Sequence, residues 1–350
     1  MRRRSVLLAA PGLALGVPAR SLPAAQLQFP RDHGAHPALR TEWWYITGQA
    51  RAGEREFGFH VTFFRTRVDA TQGMTSRFAA KQLLFAHAAV TDVQGRKLWH
   101  DQRIAREGFD VAFAAQSDTR VRLRDWSLER LPDAYDARVT SADFALELRC
   151  APTQPLLLQG AQGLSRKGPQ PEQASYYYSQ PQLAVSGAIT LRGRRFEVAG
   201  KAWLDHEWSD EYLAPEAVGW DWIGMNLDDG SALTAFRLRR QDGSALWDGG
   251  SFRSAKGAVL HTFSPGEVEF SPQRRWTSPL SQAVYPVEWR VRTPAGTYAV
   301  KAVIDNQELD SRSSTGAIYW EGLSDLLDSN GRRVGRGYLE MTGYAQRLRL

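Results

Sequence analysis

Lys201-Ala-Trp-Leu-Asp-His-Glu-Trp-Ser209 alternates residue by residue, and its period of two reads as one extended strand rather than a helix. Successive side chains of a strand point to opposite faces. His206 and Trp208 therefore share one face with Leu204, while Trp203, Asp205 and Glu207 share the other. Two indoles on one strand argue against a surface strand, because large aromatics are placed where area is buried and their N–H finds a partner, and either face could line a pocket. Two readings remain open for this strand: a core element with satisfied polar groups at a domain junction, or the wall of a ligand site whose inner face is undetermined.

Outward from this strand the same period continues. Phe57, Phe59, Val61 and Phe63 alternate with Gly58, His60, Thr62 and Phe64, and Gln94-Gly95, Arg192-Gly193, Asp229-Gly230, Asp242-Gly243, Lys256-Gly257, Ala295-Gly296 and Asn330-Gly331 each separate two such runs. Turn pairs between alternating runs are the mark of antiparallel hairpins. The spacing predicts an all-β chain whose consecutive hairpins close on themselves to hide their edges, as two antiparallel β-barrels in tandem. The expected partition is 26–209 for the first barrel and 210–350 for the second, since Asp210, Glu211, Pro215 and Glu216 interrupt the alternation before Gly219-Trp-Asp-Trp restarts it. Helical turns are expected only near residues 209–212 and 325–327. A long loop is expected over 160–180, with Tyr176-Tyr177-Tyr178 at its end as a packed strand start or a ligand rim.

At 350 residues, 43% hydrophobic and 23% charged, the composition is that of a globular chain with room for two cores. Residues 1–25 combine Arg2, Arg3 and Arg4, a short apolar run and small residues before Ala19 and Ala24, the pattern of a signal peptide, here twin-arginine-like. The expected destination is the periplasm or the medium. Those residues hold four arginines and no acid, so their removal takes the formal net charge from +6 to +2. With that, the basis for a nucleic-acid partner is gone. Cys150 is the only cysteine, so no intramolecular disulfide forms, and its alternating surroundings make it a small buried hydrophobe.

Several segments in order, Phe29-Pro-Arg-Asp-His-Gly-Ala-His-Pro37, Glu42-Trp-Trp-Tyr-Ile-Thr-Gly48, Phe57-Gly-Phe-His-Val-Thr-Phe-Phe-Arg65, Phe85-Ala-His-Ala-Ala-Val-Thr-Asp92, the Trp203 strand and Gly219-Trp-Asp-Trp-Ile-Gly-Met-Asn-Leu227, resemble the AttH-like lipocalin family. That family includes carotenoid 1,2-hydratase and is similar to fungal cofactor-free Diels–Alder cyclases. The resemblance implies two lipocalin-like barrels with a pocket near their junction. In the hydratase branch it implies roles for His206 and Trp208, with an acid and an aromatic on a later strand. Trp220-Asp221-Trp222 is the nearest match to that second pair and departs from the tyrosine-to-aspartate spacing of the hydratase pattern.

Adding water to an isolated C=C bond needs an acid strong enough to protonate carbon, walls that tolerate a cation, and a positioned water. Desolvation keeps a carboxyl protonated, and indole faces stabilise positive charge. On this reading Asp221 or Asp205 is the acid and His206 the base, with Trp208 and Trp222 as cation-stabilising walls and Trp203, Trp220, Tyr178, Trp43, Tyr45 and His60 lining the ligand space. The expected partner is an extended apolar small molecule, an isoprenoid or lipid, either acted on or merely carried, with contact to envelope lipid or membrane as a further possibility. No glycine-rich phosphate loop precedes a helix, so no nucleotide is expected. His206-Glu207 lacks a second histidine four residues on, and Asp32, His33, His36 and Glu42 sit around Gly34 and Pro37 as a loop plugging a barrel end, so neither metal nor cofactor is expected.

Overall fold

The computed structural model describes residues 22–24, 26–255, 257 and 259–348. Nearly all of the signal-peptide pattern, 1–21 and 25, lies outside them. The chain forms two large antiparallel sheets, one of 13 strands and one of 10, and a two-stranded ribbon. The first sheet's main path runs from Lys97–Arg106 through Gln82–Asp92, Arg55–Arg67, Thr41–Ala52, Arg194–Glu211, Ala174–Leu191 and Phe144–Ala151 to three short hairpinned strands and Ala112–Ala114. It coils almost into a closed barrel: Arg103, on one edge strand, lies 4.6 Å over the ring of Trp126 near the other edge. The second sheet centres on Gly219–Leu227, flanked by Ala232–Arg239 and by Arg333–Met341, which pairs in turn with Ala317–Leu327. Tandem lipocalin-like barrels describe the architecture.

Turn chemistry explains the meander. Arg192 and Gly193 have φ of 50° and 78°, the left-handed pair of a two-residue hairpin whose twist matches its strands, here the 18-residue strands Ala174–Leu191 and Arg194–Glu211. The first sheet ends at Glu211 and the second begins at Gly219. Where helical turns were expected the chain is extended: Ser209 to Glu211 close one long strand, and Asp325 sits in another, its carboxylate 2.6 Å from Arg336 on the paired strand. Cross-strand pairing overrides weak local preference in both places. The described helical pieces are single 3-10 turns, Arg31–His33 and Asp69–Thr71. The expected loop over 160–180 is likewise shorter, because Leu164–Arg166 pairs with a strand that already starts at Ala174 and carries all three tyrosines.

Each barrel has its own core, the first around Trp44, Phe59, Trp126, Tyr178, Leu204 and Trp208, the second around Ile223, Tyr285, Trp289, Trp320 and Leu339. A third cluster, with Tyr45, Trp203, Trp222, Phe236, Leu323 and Tyr338, joins the outer faces of the two sheets. The faces meet closely at Gly58, where an added Cβ would lie 2.8 Å from Tyr338 Oη and 3.0 Å from Leu323. Polar ties cross the same seam: Thr91 Oγ1 donates to Gln307 Oε1 at 2.9 Å, and the Gln182 amide to Asn226 Oδ1 at 2.8 Å. The Arg31–His33 turn stops one end of the first barrel, and Trp44 Nε1 donates to the His33 carbonyl there at 3.0 Å.

Candidate functional site

The Trp203 strand is buried on both faces for two different reasons. Leu204, His206 and Trp208 fill the first barrel, whereas Trp203, Asp205 and Glu207 face the seam. Above Asp205 and Glu207 the two sheets part to leave a cavity of about 270 Å³, close to the lower end of ordinary small-molecule sites. Its walls are aromatic, with Trp43, Tyr45 and Tyr177 from the first barrel facing Trp220, Trp222 and Tyr319 from the second. An adjoining cleft of about 350 Å³ shares Thr41, Tyr212 and Leu348 with it.

Four carboxylates enter this aromatic space: Asp205, Glu207, Glu321 and Glu340. Asp205 accepts from Trp203 Nε1 at 2.7 Å, Ser179 Oγ at 2.5 Å and Tyr177 Oη at 2.8 Å. Burial outweighs those donors and pushes its carboxyl up to about 7. Glu207 is ion-paired with buried Lys167 at 2.9 Å, yet burial still raises its pKa. Glu321 is raised well above the carboxylate range, and Glu340 up to about 7, each chiefly by loss of water. Beside them Tyr45 Oη and Glu321 Oε1 are buried without a hydrogen-bond partner among the described residues. The arrangement can hold a ligand between aromatic faces and offer it carboxyl protons near neutral pH, which is the equipment of general acid catalysis.

The expected site residues divide between this cavity and the barrel interiors. Asp205, Trp43, Tyr45, Trp220 and Trp222 line the cavity, and Trp203 supports it through its bond to Asp205. His206, Trp208 and Tyr178 do not reach it. His206 is fully buried in the first barrel, its Nε2 2.9 Å from Glu42 Oε1 and its Nδ1 3.2 Å from Tyr178 Oη, stacked on Trp44 and tilted against Trp208. Burial lowers its pKa to about 4. Asp221 points into the second barrel, clamped by Arg237 at 2.8 Å, Arg239 at 3.0 Å and the Tyr344 hydroxyl at 2.8 Å. Pairing Asp221 as acid with His206 as base is therefore corrected: the two lie on the inner faces of different sheets, one residue out of phase with the cavity face. His60 is buried at the seam outside the cavity lining, its Nδ1 3.5 Å from Glu321 Oε1.

Residue reasoning passed over Glu321, Glu340, Tyr319, Tyr212 and Lys167. The signal for the first two was an acid one alternation step from an aromatic, in Tyr319-Trp-Glu321 and Tyr338-Leu-Glu340. Donor atoms of His36, Glu42 and His206 lie within 4.8 Å of one another, the one such grouping among the described residues. Glu42 already receives both imidazoles on one oxygen and Arg65 Nε at 2.7 Å on the other, while His36 also meets Asp32 at 3.1 Å. The donors are satisfied by each other and tie the plug segment to the barrel.

A family model described as AttH-like matches residues 20–344. Among solved structures, a protein described as an AttH from Nitrosomonas europaea is 49% identical, covering 93% of this chain and 99% of its own, with a TM-score of 0.86. Kievitone hydratase from Nectria haematococca shares the fold at 11% identity and a TM-score of 0.71, over 91% of this chain and 93% of its own. No curated protein matches the sequence at a significant level.

Proposed function

We propose that this chain, which belongs to the AttH-like family, takes one small apolar molecule into the seam cavity and protonates a C=C bond of it without a cofactor, with Asp205 as the proton donor. The observation that carries this reading is a carboxyl held near pH 7 inside an aromatic cavity. In the step proposed, the Asp205 O–H bond breaks and its proton joins the less substituted alkene carbon. The more substituted carbon becomes a cation facing Trp222 and Tyr45. Water adds there, and its surplus proton returns to the Asp205 carboxylate, so the net reaction is alkene plus water to alcohol.

Hydration is the best-defined case, and the fold shared with kievitone hydratase is in keeping with it while adding only the fold. The leader pattern of residues 1–25 supports an exported protein working in the cell envelope, where its ligand reaches it from lipid. Intact-mass analysis of the purified mature chain tests that processing. Turnover of a prenylated alkene in H2(18)O, with heavy oxygen appearing in the product and lost in Asp205→Asn, is the expected result for the enzyme. An extractable bound lipid without turnover in either protein would make the chain a carrier.

A further inference from the structure

Glu321 and Glu340 are directly opposed across paired strands, and Trp222 is the next residue in the same transverse row on the strand beyond. Cβ atoms of directly opposed residues stand roughly 5 Å apart, and like charges in that position repel. Buried carboxylates elsewhere in this protein are matched. Glu42 has Arg65, Asp221 has Arg237 and Arg239, and Glu308 takes Ser278, Ser281 and Tyr285 hydroxyls. The pair in the cavity has no cation among the described residues: Glu321 meets the hydroxyls of Tyr45 and Tyr319, and Glu340 the indole N–H of Trp220. Also facing it are the ring of His60 and the further acids Asp205 and Glu207, with Lys167 committed to Glu207. Burial holds His60 and His87 neutral, so neither supplies the missing charge.

A second observation points the same way. Tyr45, a cavity-lining residue, is only 7% exposed, and its Oη and the neighbouring Glu321 Oε1 make no well-formed hydrogen bond among the described residues. Buried polar atoms left under-satisfied beside a cavity are places where a ligand supplies a partner. Trp220, Trp222, Tyr45 and Tyr319 line the same cavity as the opposed acids, and aromatic rings beside carboxylates are the surroundings in which organic ammonium groups are recognised.

We infer that the ligand of the seam cavity is a cationic amphiphile, its ammonium group seated between Glu321 and Glu340 against the Trp222 and Tyr319 rings and its apolar body along the remaining aromatic wall. This rests on the cavity being the ligand site and refines that reading: the molecule is apolar over its body and carries a cationic head group. The ammonium group neutralises the opposed acids, so its arrival expels the proton that otherwise relieves their repulsion.

The test uses octyltrimethylammonium, octan-1-ol and octanoate, titrated into the mature protein at pH 8 by calorimetry and tryptophan fluorescence. The ammonium probe should bind at least tenfold more tightly than octanol, octanoate more weakly than either, and ammonium binding should release protons, read as a heat that changes with the buffer's ionisation enthalpy. The double variant Glu321→Gln, Glu340→Gln should bring the ammonium and alcohol affinities together. Octanol binding as tightly as the ammonium probe, or a preference that survives both substitutions, overturns the inference and leaves the cavity reading intact. If no octyl probe binds, the cavity reading falls and takes the inference with it.

Discussion

Replacing Asp205 by asparagine should stabilise the protein at pH 8 and leave it unchanged or slightly weaker at pH 4. The Asp205 carboxyl is raised from 3.8 to about 7 in the fold, so between those values the folded chain keeps a proton that the unfolded chain has released. Stability contributed by such a group is present below the unfolded pKa, is lost as pH rises through the folded pKa, and levels off above it. Three units of pKa at roughly 1.4 kcal/mol each set a ceiling of about 4 kcal/mol. Asparagine imitates the protonated acid. Its carbonyl can accept from Trp203 and Ser179, and its amide can donate to Tyr177 Oη, which already faces Trp222 Nε1 at 3.3 Å. Allowing about half the ceiling for rearrangement leaves about 2 kcal/mol, and at roughly 2–4 °C per kcal/mol the melting temperature should rise by about 4–8 °C at pH 8. Differential scanning calorimetry of both proteins at pH 4 and pH 8 measures this. Equal shifts at the two pH values, or a less stable variant at pH 8, would refute the claim that burial keeps Asp205 protonated.

Other outcomes follow from the same geometry. Turnover should be flat below about pH 7 and fall about tenfold per unit above it, because the proposed donor is the acid form of Asp205; a pH–rate profile rising through 7 contradicts the assignment. Asp221→Asn should cost about 3–5 kcal/mol by leaving Arg237 and Arg239 unmatched, yet change octanol affinity less than twofold, checked by guanidinium unfolding and calorimetry. Trp208→Ala should likewise cost about 3–5 kcal/mol of stability while sparing binding, and Trp222→Ala should weaken octanol binding at least tenfold, both read by fluorescence titration.

Much of the fold was legible because the physics that makes it is local. Arg192-Gly193 specifies its own turn, and the period of two in residues 57–64 fixes which side chains share a face. The site was legible only in part. Alternation assigned Asp205 and His206 to opposite faces, but both faces of that strand are apolar neighbourhoods, one a barrel core and the other a seam between barrels. Which face is open depends on how two separately folded sheets lie against each other, and no period within one strand encodes that. The same one-residue phase put Trp220 and Trp222 in the cavity and Asp221 in an arginine clamp. Glu321 and Glu340 sit far along the chain from Asp205 and join it only through the seam, so their chemistry became visible with the third dimension.

The family resemblance carried the architecture, and the pocket it implies near the junction of the barrels coincides with the seam cavity. It also carried His206 and Trp208, whose surroundings here are the plug and core of the first barrel. Packing and hydrogen bonds give them a structural account that needs no ligand: Trp208 stacks on the His36 ring with centroids 3.9 Å apart, and His206 joins Glu42 and Tyr178, and through Glu42 reaches His36 and Arg65.

Where a guest molecule sits decides the account more directly than any variant. Diffraction from crystals grown with 8-bromooctan-1-ol, recorded at the bromine absorption edge, should place one anomalous peak between the barrels, within the space bounded by Trp43, Trp222 and Tyr319. A bromine peak inside either barrel, beside His206 or Asp221, or an unoccupied seam at saturating probe, would contradict it.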